Sequence, residues 1–262
     1  MQFIDTHAHL YLNHFDDDRE EMVKNAFMKH VNKIILPNID SSTIQSMNEL
    51  CNNFSSGIFP LIGLHPVSVS DTYKNELEII AGELKTGRYY GIGESGIDLY
   101  HDRSHLEEQK KAFIFQIELA IRYNLPLIIH ARDSFNEIFE ILNNYKHLLP
   151  RGIFHAFTGT VDQAKRIIHE YGFFLGIGGI VTFKNSGLDQ MIQEISLGHM
   201  VLETDAPFLA PVPYRGKRNE SSYVVYIAEK IAQIKNVSIN DVADITTRNA
   251  MQIFRLPLSR FC

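Results

Sequence analysis

Cysteine is scarce in this 262-residue chain, which carries only Cys51 and Cys262. Two thiols cannot make a disulfide framework, and their rarity suits a reducing cytoplasm, the location expected here. No basic, apolar leader opens the sequence MQFIDTHAHL, so secretion is not expected. Long hydrophobic runs are also missing. The longest nearly apolar stretch, Tyr171–Phe183, has 13 residues, short of the ~18–20 that span a bilayer, so no membrane association is expected. Nor is there a surplus of positive charge: 25 Lys and Arg stand against 31 Asp and Glu, a net charge of −6. That balance argues against a broad nucleic-acid-binding face, whose affinity comes from many phosphate-neutralising cations. An anionic substrate would have to be held locally, by metals or by a few placed cations. Linkers rich in Pro, Gly or Ser and low-complexity runs are absent as well. Residues 1–262 are therefore expected to form one domain, and nothing implies an obligate protein partner. With 45% apolar and 21% charged residues, the composition is that of a globular protein with a large core.

What is present is a regular alternation. Strand-like apolar runs occur at Gln2–Asp5, Lys33–Pro37, Ile58–Gly63, Tyr89–Gly93, Leu125–Ile129, Gly152–Phe154, Gly172–Gly176 and Met200–Glu203. Between them lie amphipathic stretches at helical spacing, such as Asp16–His30 and Ser41–Phe54. Ser104 with Glu107 reads as a capping box that opens a helix to about Tyr123, and Asn219 and Ser238 read as further N-caps. Eight strand–helix alternations predict an α/β fold, a single (βα)8 TIM-type barrel. A doubly wound open sheet is the alternative, because periodicity does not reveal closure.

The chemistry collects at the ends of those runs. Asp5, His7 and His9 alternate along one strand and so share a face. His130 ends LPLIIH, His155 ends GIFH, Glu94 ends YYGIGE and Asp205 ends HMVLETD. In a barrel the C-terminal ends of the strands converge on the face where active sites are built. Four imidazoles and two carboxylates packed there without partners would cost several kcal/mol of desolvation, which a metal centre offsets. Six ligands suit two divalent cations better than one, and Glu94, with two oxygens, is the natural bridge. The histidine content favours Zn, Mn or Fe over a purely Mg site. Glu203, one step deeper than Asp205 on the same face, reads either as a ligand or as a support behind one.

FIDTHAHL (3–10), IGLHP (62–66), GIGESGIDLY (91–100), IIHARD (128–133), FHAFTG (154–159) and LETDAPFLAP (202–211) together resemble the TatD family of metal-dependent hydrolases, within the amidohydrolase-like barrels. The resemblance runs through nearly the whole chain. It implies two divalent cations (Zn, Mn or Mg), with His7 and His9 on one, His130 and His155 on the other, and Glu94 bridging. Asp205 would bind metal and accept a proton, and Asp205 and Glu94 are the expected catalytic pair. His65 would be a site residue but not a ligand, a donor to substrate phosphate, with a structural histidine hydrogen-bonded beside Pro66 as the rival reading. The implied activity is hydrolysis of DNA phosphodiester bonds by a metal-activated water, acting on single strands as a 3′-to-5′ exonuclease. An amidase or esterase, or a deacylase of D-aminoacyl-tRNA, would use the same centre, and a non-catalytic metal-dependent binding module is the reading from another class. The chain departs from the family pattern at Tyr11, Ala156 and Ser221, where Asp, Cys and Pro are usual.

Further features are weighed on their own residues. Gly91-Ile-Gly93-Glu-Ser-Gly96 matches a dinucleotide fingerprint, but no helix start follows it, so a metal-bridging turn is the better reading. Arg132 could grip a phosphate, or pair with Asp133. Arg215, Lys217 and Arg218 form a basic cluster after the last strand, expected either to attract an anionic chain or to be a solvated face. Phe157, Phe208 and Tyr214 could stack bases near the mouth. The other histidines read as structural or solvated, His101 least clearly so.

Overall fold

The computed structural model describes residues 1–101 and 103–257; Cys262 lies outside them. Eight strands run in order: β1 (Phe3–Asp5), β2 (Val31–Leu36), β3 (Ile58–Pro60), β4 (Ile92–Asp98), β5 (Leu127–Arg132), β6 (Gly152–Phe154), β7 (Phe174–Ile177) and β8 (Met200–Leu202). The α-helices are α1 (Arg19–Met28), α2 (Ile44–Asn53), α3 (Tyr73–Glu83), α4 (Leu106–Tyr123), α5 (Phe135–Asn143), α6 (Val161–Tyr171), α7 (Leu188–Glu194), α8 (Val224–Lys235) and α9 (Ile239–Phe254). All ladders are parallel and join neighbours in sequence, β1 to β3 in one set and β4 to β8 in the other.

Two seams turn these sets into a barrel. Ile62 bridges to Ile92 between β3 and β4, with Gly93 N donating to Ile62 O at 2.9 Å. At the other seam Thr6 N donates to Leu202 O at 3.0 Å, and Ala8 bridges to Ala206. The open-sheet alternative is thereby excluded. Strand side chains alternate, and one set meets inside the barrel: Ile4, Ile35, Phe59, Leu61, Ile128, Ile153 and Val201, packed with Ile253 and Phe254 of α9. The opposite faces pack under the helices in a larger cluster. Helix α6 shows why: Ala164, Ile167, Ile168 and Tyr171 form its buried stripe, a Thr160–Gln163 capping box starts it, and Gly172 in the left-handed region ends it.

Local signals misplace a few boundaries. Strand β4 runs on to Asp98 rather than stopping at Gly93, because its polar residues are buried with partners and not exposed in a turn. A Cβ at Gly96 would fall on the His130 carbonyl oxygen, so glycine there lets β4 and β5 stay paired beyond Glu94. No helix opens at the GxGxxG match, as anticipated. Helix α4 starts at Leu106 with His105, not Ser104, at its N-cap. Asp98 Oδ1 accepts the backbone N–H groups of Tyr100 and His101, so the chain is still turning before Ser104. Ser238 does cap α9, in a box with Asp241. Asn219 caps no helix; its amide donates to Thr204 O and Phe208 O, both at 2.7 Å, and fastens the loop after β8. Among the described residues, no helix is long and apolar enough to cross a membrane.

Candidate metal centre

The ends of five strands deliver the side chains as their positions dictate. His7 and His9 follow β1, Glu94 is the third residue of β4, His130 the fourth of β5, His155 follows β6, and Asp205 lies just past β8. His9, Glu94, His130, His155 and Asp205 line one cavity floor, and His7 is buried against them. Glu94 is at its centre, 2% exposed. Its Oε2 lies 3.0 Å from His7 Nε2 and 3.5 Å from His9 Nε2. Its Oε1 lies 2.8 Å from His130 Nδ1 and 3.4 Å from His155 Nε2. Each carboxylate oxygen thus serves its own pair of imidazoles.

Donor spacing tests whether a metal fits. Tetrahedral ligands about 2.0–2.1 Å from a zinc-sized ion are separated from one another by about 3.4 Å. His7 Nε2 and His9 Nε2 are 3.2 Å apart, and Asp205 Oδ1 is 3.9 and 3.6 Å from them. Together with the contacts to Glu94 Oε2, these edges bracket that value. The nitrogens facing away from the centre make the same point. His130 Nε2 meets Asp98 Oδ2 at 2.9 Å, which leaves Nδ1 to face Glu94. His155 Nδ1 lies 2.9 Å from Glu203 Oε1, too bent for a good hydrogen bond but a close ion pair. His9 Nδ1 meets the Tyr11 hydroxyl at 2.9 Å. Orienting partners of this kind are what metal-binding histidines have. His7 Nδ1 is buried with no hydrogen-bond partner, while its ring stacks on His155 at 3.6 Å. The donor set fits divalent cations, with His7, His9, Glu94, His130, His155 and Asp205 able to hold them.

Glu203 stands behind His155 and its Oε1 accepts the Ala156 N–H, while its Oε2 is buried without a hydrogen-bond partner and, with His7 and His155, forms a second group able to hold a cation. Gly176 makes room for it: a Cβ there would fall on Glu203 Oε2. Gly176→Ala is therefore expected to cost about 1–3 kcal/mol by overpacking, read as a lower denaturation midpoint. An unchanged midpoint would mean that Glu203 swings aside freely.

His65 differs from the ligands in tautomer. Its Nδ1 accepts the Val67 backbone N–H at 3.1 Å, so the neutral ring carries its proton on Nε2, which lies 3.4 Å from Glu94 Oε1. It therefore presents a donor, not a lone pair, towards Glu94. Burial lowers the His65 pKa, against the pull of Glu94.

Charge is balanced within the cluster. Burial pushes Glu94 up, but the His65, His7 and His155 charges hold it well below the usual carboxylate range. For Asp205, contact with His9 likewise outweighs burial and lowers the pKa. Burial works against a charge on His155, yet Glu203 and Glu94 raise it to about 10. In His130, hydrogen bonds to Asp98 and Glu94 overcome burial, and in His9 contacts with Tyr11, Asp205 and Glu94 do so. His7 is lowered by burial and by the His155 charge.

Above the cluster is a cavity of about 460 Å³ whose lining includes His65, His101 and Arg132 together with the apolar Ile39, Val67, Phe208 and Leu209. Arg132 stacks 3.9 Å over the Tyr100 ring, not against Asp133. The other basic residues expected at the substrate lie elsewhere. Arg218 forks onto Asp18, at 2.7 and 2.5 Å, donates to His14 O and covers Phe15, so its charge is neutralised in tying the loop to the start of α1. Arg215 lies over Phe183, outside the cavity lining. Phe157 is buried, Tyr214 stacks on Tyr223, and Phe208 alone of the three aromatics lines the cavity, 45% exposed.

Several participants had no clear sequence signal. Asp98 joins His130 to His101, whose Nδ1 lies 3.0 Å from the same Oδ2; only the spacing Asp98-x-x-His101 hinted at this. Asp5 does not point at the centre. It accepts from Thr204 N and Oγ1, at 2.9 and 2.6 Å, and fixes the end of β8 where Asp205 emerges. Cys51 is buried in α2 and burial pushes its thiol up to about 12, which leaves it no part as a nucleophile.

Comparison with known proteins agrees with this geometry. Residues 4–255 match the family model described as TatD related DNase. The uncharacterized metal-dependent hydrolase YabD of Bacillus subtilis is 39% identical over 253 residues, covering 96% of this chain and 98% of that protein. YcfH of Escherichia coli K12, also an uncharacterized metal-dependent hydrolase, is 30% identical over 99% of this chain and 98% of its own. The crystal structure of the TatD homologue YjjV from E. coli K12 superposes with a TM-score of 0.88 at 27% identity, over 97% of this chain and 98% of that one. With its ligand cluster on a closed (βα)8 barrel and its likeness spanning almost every residue, the chain belongs to the TatD family of metal-dependent hydrolases.

Proposed function

We propose that the protein is a two-metal deoxyribonuclease that removes nucleotides from single-stranded ends in the 3′-to-5′ direction. The observation that carries the hydrolytic part is the division of the Glu94 oxygens between two imidazole pairs, with Asp205 beside one pair and the His65 Nε2–H beside the other. Two bound divalent cations would supply a more acidic water and neutralise charge developing on the scissile group. Asp205, an ionised acceptor, takes the proton of the attacking water. His65 donates to the oxygen on which charge builds. Glu94 keeps both donor sets at one separation.

The nuclease part is supported by the cavity and by the family description. Arg132 and His101 can receive an anionic group, while Phe208, Val67 and Leu209 offer an apolar wall for a terminal base. With Arg218 paired to Asp18, this is a small, local anion site and not an extended track. The buried thiol of Cys51 is consistent with work in a reducing cytoplasm.

Cleavage of an end-labelled single-stranded oligonucleotide with Mg²⁺ or Mn²⁺ tests the proposal. The expected result is a ladder that shortens with time, disappears in chelator, returns with added Mn²⁺ and weakens as salt rises. No cleavage with any divalent ion would overturn the nuclease reading, and hydrolysis of amides, esters or D-aminoacyl-tRNA instead would move the same centre to those substrates.

A further inference from the structure

We propose that Tyr11 is a positioning residue for the metal centre, its buried hydroxyl dictating which nitrogen of His9 is free to bind a cation. The argument counts protons. Tyr11 is 3% exposed, and its hydroxyl lies 2.7 Å from the Pro37 carbonyl oxygen. A carbonyl has no proton to give, so the phenol must donate to it, and a hydroxyl has only one proton. Towards His9 Nδ1, 2.9 Å away, Tyr11 can therefore only accept. His9 must carry a proton on Nδ1, and when the ring is neutral its lone pair sits on Nε2. That nitrogen faces His7 Nε2 at 3.2 Å, Glu94 Oε2 at 3.5 Å and Asp205 Oδ1 at 3.6 Å. The two rings meet edge to face, 5.8 Å apart at 83°, so His9 cannot flip without losing the contact.

Two other imidazoles of the centre are backed by carboxylates, Asp98 behind His130 and Glu203 behind His155. Tyr11 does the same for His9 with a neutral group, and Pro37, just past β2, anchors it. The proposal rests on His9 being a ligand, and the test separates the two ideas.

Chelator-stripped protein would be titrated with Zn²⁺, in wild type and Tyr11→Phe, by calorimetry and by NMR of the histidine nitrogens. The expected wild-type spectrum has Zn²⁺ on His9 Nε2 and a slowly exchanging Nδ1–H. In Tyr11→Phe that proton exchanges freely, and one binding step weakens by about 10–100-fold while the other is unchanged. Zinc bound through His9 Nδ1, or equal affinities and an equally protected proton in the variant, would overturn the proposal. His9 signals that zinc leaves unmoved would overturn the ligand reading itself. Should Tyr11→Phe fail to fold, the wild-type spectrum alone still decides which nitrogen binds.

Discussion

Asp205→Asn is expected to lower kcat for the oligonucleotide by about 10³-fold, some 4 kcal/mol of barrier, with little change in KM. The amide matches the carboxylate in shape, so the loop after β8 should stay in place, fastened as it is by Asp5 and Asn219. What it cannot do is accept a proton. Asp205 is suited to that task because its carboxyl is 13% exposed, close enough to solvent to pass the proton on. Contacts with His9, and the His155 and His7 charges, keep it ionised against the pull of burial. Single-turnover cleavage with the metal content measured in parallel checks the prediction. A loss of less than 10-fold at full metal content would remove Asp205 from the proton transfer.

The second large effect is the pH dependence of metal loading. In the metal-free protein His9, His130 and His155 all have raised pKa values, His155 to about 10. His155 therefore holds a proton at neutrality that a cation must displace, and the upward shifts of His9 and His130 act in the same direction. Apparent divalent affinity should rise with pH, by up to about 10-fold per unit for each proton released. Calorimetric titrations in two buffers of different ionisation enthalpy would show the release directly. Affinity unchanged between pH 6 and 8 would mean that the imidazoles are already neutral. Stability of the metal-free protein follows the same linkage. The raised His155 contributes stability that is full below its unfolded value, near 6.5, and is lost as pH rises through about 10. The lowered Glu94 and Asp205 contribute stability present above the ordinary carboxylate range, near 4, and lost as pH falls through their lowered values. These three groups together contribute most between about pH 4 and 6.5, while Asp5, raised by burial to about 7, subtracts as pH rises through that range, and His7 and His65, lowered by burial, subtract as pH falls through it. Added metal extends stability to higher pH.

Much of this centre was readable before any coordinates. Strand alternation put Asp5, His7 and His9 on one face. Strand β1 ends at Asp5, which turns to Thr204, while His7 and His9 beyond it do face the centre. Six ligand-type residues at the ends of successive apolar runs had to meet if the runs closed into a barrel. Those residues do meet. The basic cluster behaved otherwise. Arg215, Lys217 and Arg218 are adjacent in sequence, yet Arg218 is neutralised by Asp18, two hundred positions earlier in the chain, and Arg215 by its position over Phe183 lies away from the cavity. Charge runs say nothing about their partners.

The sequence by itself determined the kind of chemistry and the alternating architecture, because ligand type and hydrophobic period are local properties. Only the tertiary structure decided that the sheet closes, that Glu94 Oε2 faces one imidazole pair and Oε1 the other, and that Asp98, Glu203 and Tyr11 stand behind His130, His155 and His9. Each of those facts depends on a hydrogen bond or a contact of a few ångströms. Most join residues far apart in the chain, and even the short-range Tyr11–His9 pair takes its direction from Pro37, just past β2. Such contacts exist only once the backbone has brought both partners to the same place.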